Sequence, residues 1–281
     1  MADSFDKRIT AARPDIAAMH LKGKVDAARF VEGETISVGI GRMSLHSKPT
    51  YPSEQVSEIF YGETFTIYER GNGWSWGQVD SDGYVGYIIG GLLDAFDGPS
   101  TANTRVTALM APVFAEPNIK APTFDFLPLN AVVRDATHDG DFVEIRPHSY
   151  VHRRHLGPIV PSEADFVSVA ERFVGVPYVW GGKTAAGLDC SGLIQTALQA
   201  TGKAAPRDTD MMEKALGEAV ALSDAKRGDL VFWKGHMGVM LDEARLLHAN
   251  AFHMVVAIER LAEAVARIEK TAGPVTSVKR L

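Results

Sequence analysis

Residues 181–195 read GGKTAAGLDCSGLIQ, and the cysteine inside that stretch, Cys190, is the sole cysteine of the 281-residue chain. Glycine-rich text precedes it. Leu193, Ile194, Ala197 and Leu198 follow on one helical stripe that Gly202 ends. Cys190 is therefore expected where a loop enters a helix. Unpaired N–H groups and the positive end of the helix dipole meet there and favour thiolate over thiol. The same N–H groups suit the oxyanion of a tetrahedral intermediate. Gly187, Ser191 and Gly192 are small enough to let a second molecule approach. A cysteine that merely packs is expected mid-helix among Leu and Val, so this placement points to a nucleophile. One cysteine excludes an intrachain disulfide and suits a compartment that keeps thiols reduced.

A nucleophilic thiol needs a base and a group that orients the base. Of the 9 histidines, His20, His46, His138, His148, His152 and His155 lie in charged or loop text. His236 and His248 instead interrupt the apolar strands HMGVMLD (236–242) and LLHANA (246–251). If these strands form a hairpin, the two rings share a face only when paired residue numbers sum to an even value. Pairing His248 with Gly238 meets that condition, leaves Asp242–Glu243–Ala244 as the loop, and sets the rings diagonally about 7 Å apart. His253 competes for the orienting role. Neither strand histidine is accompanied by the carboxylate text of a zinc site, and no cysteine cluster or HExxH is present. No cofactor or metal is expected.

Working outward, Ser162 and Asp165 form a capping-box pattern ahead of Phe166, Val169, Ala170 and Phe173, and Gly175 and Pro177 stop that helix. With DLVFW (229–233) preceding the hairpin, residues 158–281 read as an α+β unit. Upstream the text changes to short strands. TISVGI, ETFTIYER, GNGWSWGQVD and SDGYVGYII run through residues 35–98, with hairpin turns expected at Asn72-Gly73 and Asp82-Gly83. A looser repeat of that plan fills residues 99–157. Residues 1–34 read as a partly helical lead-in. Gly98-Pro99-Ser100 marks one joint, and residues 157–161 a stiff linker. The composition, 46% hydrophobic and 23% charged, excludes wholesale disorder. A net charge of −6 argues against nucleic acid or anionic membrane as a partner. No apolar run approaches the ~18 residues of a membrane span, and the opening MADSFDKRITAARPDIAAMH has no h-region, so a cytoplasmic location is expected.

Six blocks in order then carry a resemblance: PYVWGG (177–182), LDCSGLIQ (188–195), PRDT (206–209), RGDLVFW (227–233), HMGVML (236–241) and LLHAN (246–250). Together they resemble the NlpC-type peptidases, papain-like cysteine peptidases of bacterial cell walls. YGETFTIYERGNGWSWGQV with DGYVGYI resembles a bacterial SH3-like domain, and DFVEIRPHSYVHRRHL more loosely a second. The implied fold is a papain-like catalytic domain preceded by two small all-β SH3-like barrels. The implied roles are Cys190 as nucleophile, His236 as base and His248 as the residue that orients it.

That domain order resembles the subfamily that cuts murein peptides between γ-D-glutamate and a diamino acid and requires a free N-terminal L-alanine. The resemblance implies that Asp189 holds the substrate ammonium, Arg207 the α-carboxylate of D-glutamate, and that Tyr178 and Ser191 line the pocket. Glu54 and Tyr84 of the first SH3-like domain would close one side. Met211-Met212 stands where many relatives carry a polar residue. The expected partners are murein-derived peptides of the type L-Ala-γ-D-Glu-diamino acid. Two other readings stay open: amidase or acyl-transfer chemistry on the same residues, and a wall-peptide binding module without activity.

Overall fold

The computed structural model describes residues 5–90, 102–135, 137–161 and 163–281. The joint expected at residues 98–100 and the Ser162 cap lie outside them. The chain divides between Ile159 and Val160 into two compact units.

In the first unit, the described residues of the lead-in, expected to be partly helical, hold one 3-10 turn and no α-helix. The lead-in forms a parallel pair of two-residue strands, β1 (Ala17–Ala18) and β2 (Phe30–Val31), with that turn between them. Its apolar residues are too irregularly spaced for a helical face. Ala11, Ile16, Ala18 and Leu21 instead pack on Trp76, helped by Tyr68, Val85 and Tyr87.

Six antiparallel strands follow: β3 (Glu34–Ser37), β4 (Arg42–His46), β5 (Gln55–Phe60), β6 (Thr64–Gly71), β7 (Trp74–Val79) and β8 (Val85–Ile89), in the order β3-β6-β7-β8-β4-β5. Two of them, β4 and β5, went unread in the sequence. Period-2 alternation buries Phe65 and Ile67 of β6 with Leu45, Ile59, Val79 and Ile88. Asn72 (φ 53°) and Gly73 (φ 79°) make the two-residue turn that the dipeptide predicts. The Asp82-Gly83 site differs. Only Gly83 has positive φ (76°), and Val79 N–H bonds Tyr84 O across a four-residue loop.

A second group comprises β9 (Thr104–Val106), β10 (Met110–Phe114), β11 (Thr123–Pro128), β12 (Val132–Val133), β13 (Thr137–Asp139), β14 (Phe142–Arg146), β15 (Ser149–His152) and β16 (Leu156–Pro158). They form sheets β11-β10-β15-β14-β13 and β12-β9-β16 around Val106, Val113, Leu127, Val143 and Val151.

The second unit is built on one six-stranded antiparallel sheet with helices. Asp165 caps α1 (Phe166–Glu171) by accepting from Val167 N–H at 2.9 Å. A short hairpin, β17 (Lys183–Thr184) and β18 (Gly187–Leu188), leads into α2 (Cys190–Ala200), and α3 (Thr209–Ala215) follows. The sheet contains β19 (Glu218–Val220), β20 (Leu230–Trp233), β21 (His236–Met240), β22 (Arg245–Asn250), β23 (Val255–Arg260) and, after α4 (Leu261–Ala272), β24 (Ser277–Arg280). Its order is β19-β24-β20-β21-β22-β23. Helix α2 packs against β21 and β22. Ala264 and Ile268 of α4 pack with Val231, Trp233, Met240 and Leu246 of the sheet. Among the described residues no helix is long and apolar enough to cross a membrane.

Candidate active site

Helix α2 begins at Cys190 because Asp189 is extended (φ −94°, ψ 179°) and its carboxylate accepts the Gly192 N–H at 2.6 Å. The preceding loop lies hard against this first turn. A Cβ on Gly192 would stand 2.1 Å from the carbonyl oxygen of Gly182, so only glycine permits the approach. As the first helical residue, Cys190 carries an N–H with no intrahelical acceptor.

Cys190 is 8% exposed. Its Sγ lies 3.6 Å from Thr209 Oγ1 on α3, and the backbone N–H of Met237 points at it. The helix start favours thiolate, and the surroundings of the sulfur oppose it. Burial, and after it the negative charge of Asp189, pushes the thiol up to about 11. These outweigh the opposing pull of Thr209, the Met237 N–H and Arg207. The surroundings of the sulfur thus favour the thiol.

Asp189 and Arg207 stand together rather than as two separate charged receptors. Arg207, 1% exposed, donates from Nη1 to Asp189 Oδ1 at 3.0 Å and from Nη2 to Oδ2 at 2.6 Å. It also donates to Ser191 Oγ at 2.9 Å and to the Gly182 carbonyl at 3.3 Å. Asp189 further accepts from Gly181 N–H at 2.9 Å and Ser191 Oγ at 3.2 Å. With the Gly192 bond, Oδ1 accepts three hydrogen bonds and Oδ2 two. Half-buried Tyr178 lies within electrostatic reach of Cys190, Asp189 and Arg207. Burial first, then the neighbouring Cys190 and the Asp189 carboxylate, raises its phenol well above the usual tyrosine range.

The hairpin takes the predicted register. Val239 pairs with Leu247 and Met240 with Leu246, and the Leu241 N–H bonds Arg245 O, leaving 242–244 as the loop. His236 and His248 thereby share a face. Their rings are closer than the diagonal alone implies: centroids at 5.1 Å, with His236 Nε2 and His248 Nδ1 hydrogen-bonded at 2.8 Å. Burial, then His248 and Arg267, lowers His236 to about 3. Burial also lowers His248, against the pull of Glu259. Met237, whose N–H faces the Cys190 sulfur, directly follows His236, which ties the strand to the helix start.

Two residues of this cluster were missed from sequence. Thr209 belongs to a quoted block but was given no role. Glu259 lies in β23, where no strand was read. Its Oε1 accepts from His248 Nε2 at 2.7 Å, and Arg267 of α4 pairs with the same carboxylate. The expectation that the histidines lack a carboxylate is corrected. The signal was the pairing of β22 with β23: His248 faces Ala257 and Leu246 faces Glu259, which puts Glu259 diagonal to His248 on one face.

His253 does not orient His236. Its Nδ1 bonds Asn250 Oδ1 at 3.0 Å, and its ring centroid is 6.5 Å from that of His248. His248, His253 and Glu259 bring donor atoms within 4.8 Å of one another and could in principle hold a cation. His248 Nε2 and the carboxylate are already bonded to each other, however, and the Arg267 guanidinium opposes a second positive charge there.

Glu54 and Tyr84 belong to the first unit. Glu54 is exposed, and its carbonyl accepts from Ser47 N–H at 2.9 Å. Tyr84 is 5% exposed and packs in that unit's core with Phe65, Val79 and Ile88. Of the methionine pair, Met212 is fully buried in α3 and Met211 half-buried.

Comparison with known proteins places two parts of the chain in families. Residues 175–271 match the NlpC/P60 family, and residues 45–89 match the bacterial dipeptidyl-peptidase Sh3 domain. A γ-D-glutamyl-L-lysine dipeptidyl-peptidase of Bacillus subtilis is 35% identical over 109 residues, which are 36% of this chain and 36% of the relative. The chain thus matches about a third of that relative's length. Dipeptidyl-peptidase 6 of Lysinibacillus sphaericus is 25% identical over 231 residues, 74% of this chain and 84% of the relative. The crystal structure of an NlpC/P60 family protein from Bacillus cereus superposes with a TM-score of 0.73 at 17% identity, covering 88% of this chain and 99% of that one; it shares the fold. Residues 175–271 thus form an NlpC/P60 domain, and residues 45–89, earlier in the sequence, a bacterial dipeptidyl-peptidase Sh3 domain.

Proposed function

We propose that this protein hydrolyses the bond between γ-D-glutamate and the diamino acid of small murein peptides with a free N-terminal L-alanine, and serves the recycling of wall peptides in the cytoplasm. The names of the B. subtilis and L. sphaericus relatives support the bond class. The observation that carries the chemistry is the bonded pair His236–His248 on a strand whose next N–H, that of Met237, meets the Cys190 sulfur.

In this reading thiol and imidazole both rest neutral. His236 takes the thiol proton as Sγ attacks the γ-glutamyl carbonyl, and His248 steadies the imidazolium. The free N–H groups at the start of α2 receive the oxyanion. His236 then protonates the leaving amine, the dipeptide remains as a thioester on Cys190, and water activated by His236 releases it. Asp189, Arg207, Ser191 and Tyr178 bind the dipeptide portion. The Asp189–Arg207 pair suits a ligand carrying both signs, with the L-alanine ammonium toward the carboxylate and the D-glutamate α-carboxylate toward the guanidinium.

The test is mass-spectrometric. The protein is incubated with L-Ala-γ-D-Glu-meso-diaminopimelate and with its N-acetylated twin, beside Cys190→Ala. Release of L-Ala-γ-D-Glu from the free-amine peptide alone, abolished in the variant, is the expected result. Cleavage of neither peptide, or cleavage retained by the variant, would overturn the proposal.

A further inference from the structure

The hydrogen-bonded chain that starts at His236 does not stop at His248. His248 is 0% exposed and has both ring nitrogens engaged: Nδ1 with His236 Nε2 at 2.8 Å, Nε2 with Glu259 Oε1 at 2.7 Å. A carboxylate only accepts, and a neutral imidazole has one donor and one acceptor nitrogen. The proton of His248 must therefore sit on Nε2, toward Glu259. Its Nδ1 is then an acceptor and can only receive the proton on His236 Nε2. His236 is left with its lone pair on Nδ1.

We infer that Glu259, held in place by Arg267, is a positioning residue that fixes the tautomers of both histidines and leaves His236 Nδ1 free to act as the base. The inference rests on the reading of Cys190 as nucleophile and His236 as its base. Glu259 touches neither sulfur nor substrate and acts through His248. Against the upward push of burial, the bond from His248 and the positive charge of Arg267 keep its carboxyl below the usual glutamate range, so it stays an acceptor. Arg267 is anchored on its other side, with its guanidinium 4.3 Å from the Phe252 ring centroid. The other titratable group facing His248 is His253, which Asn250 holds. When His236 becomes an imidazolium during the reaction, Glu259 supplies the compensating negative charge through His248.

Glu259→Leu tests this, because it removes the acceptor that holds the His248 proton on Nε2, whereas an amide oxygen would still accept there. The expected outcome is a roughly 10- to 100-fold loss of kcat with KM within about twofold, partial recovery in Glu259→Asp, and a displaced acidic limb of the pH–kcat profile. The second readout needs no substrate. Ring 15N spectra of the histidine-labelled chain are expected to show His236 and His248 both protonated on Nε2, and this pattern to change in Glu259→Leu. An unchanged pattern in the variant overturns the inference, whether or not kcat falls, since loss of activity alone then marks a structural role. If Cys190→Ala still cleaves, the reading of the nucleophile fails, while the ring spectra still decide for or against Glu259.

Discussion

The guanidinium of Arg207 meets the carboxylate of Asp189 through two parallel hydrogen bonds, with both side chains buried at the start of the helix that carries Cys190. Asp189 therefore caps α2, neutralises Arg207 and borders the sulfur at once. Its placement as a helix cap and as part of a binding site need not compete, because the cap uses Oδ1 toward Gly192 while the pair spans both oxygens.

Removing one member of a buried pair leaves the other uncompensated. Arg207→Met is expected to destabilise the second unit by about 3–5 kcal/mol, whereas Arg207→Met combined with Asp189→Asn loses less than the sum of the single changes. Urea unfolding of the four proteins of this cycle measures the coupling. Strict additivity would contradict the geometry.

The negative charge of Asp189 acts on the thiol as well as on Arg207. Asp189→Asn removes a charge that disfavours thiolate and leaves Arg207 as an unopposed cation nearby, and both changes act in the same direction. The thiol is expected to fall from about 11, with iodoacetamide labelling of Cys190 faster at pH 8 than in the wild type. Labelling rates across pH 6–11, with peptide mapping, give the thiol pKa in each protein. A slower variant would refute the assignment.

His236 titrates near 6.5 in an unfolded chain and near 3 when folded, mainly because burial disfavours its charged form. Between those values the unfolded state binds more protons, so the stability this residue contributes is complete above pH 6.5 and is lost as the pH falls toward 3. The slope approaches about 1.4 kcal/mol per pH unit for one such group. Urea midpoints at pH 7.5 and 5.0 are expected to differ less in His236→Gln than in the wild type. An equal difference would assign the acid sensitivity to other groups.

What the sequence made legible follows from where the physics is local. A polar residue interrupting an apolar strand is conspicuous, and side-chain parity in a hairpin is fixed by period 2. His236 and His248 could therefore be paired before any coordinates. The Asn72-Gly73 turn was equally local. Glu259 was not: VVAIER leaves Ile258 and Arg260 exposed, reads as an unremarkable edge, and acquires meaning only through its register with β22 and the arrival of Arg267 from α4. The burial of Cys190 was no more legible. The helix start is a local feature that favours thiolate, whereas burial is a tertiary property and pushes the thiol up.

The close fit of Cys190 among Thr209, Met237 and the capping carboxylate has a consequence beyond turnover. Oxidation to sulfenic acid starts from thiolate, as does attack on stray electrophiles. A sulfur that is 8% exposed, in surroundings that favour the protonated form, offers peroxide little to react with. Its reactivity is released only when His236 takes the proton toward a bound acyl group. The same burial that makes the first step demanding protects the chain's one irreplaceable sulfur between turnovers.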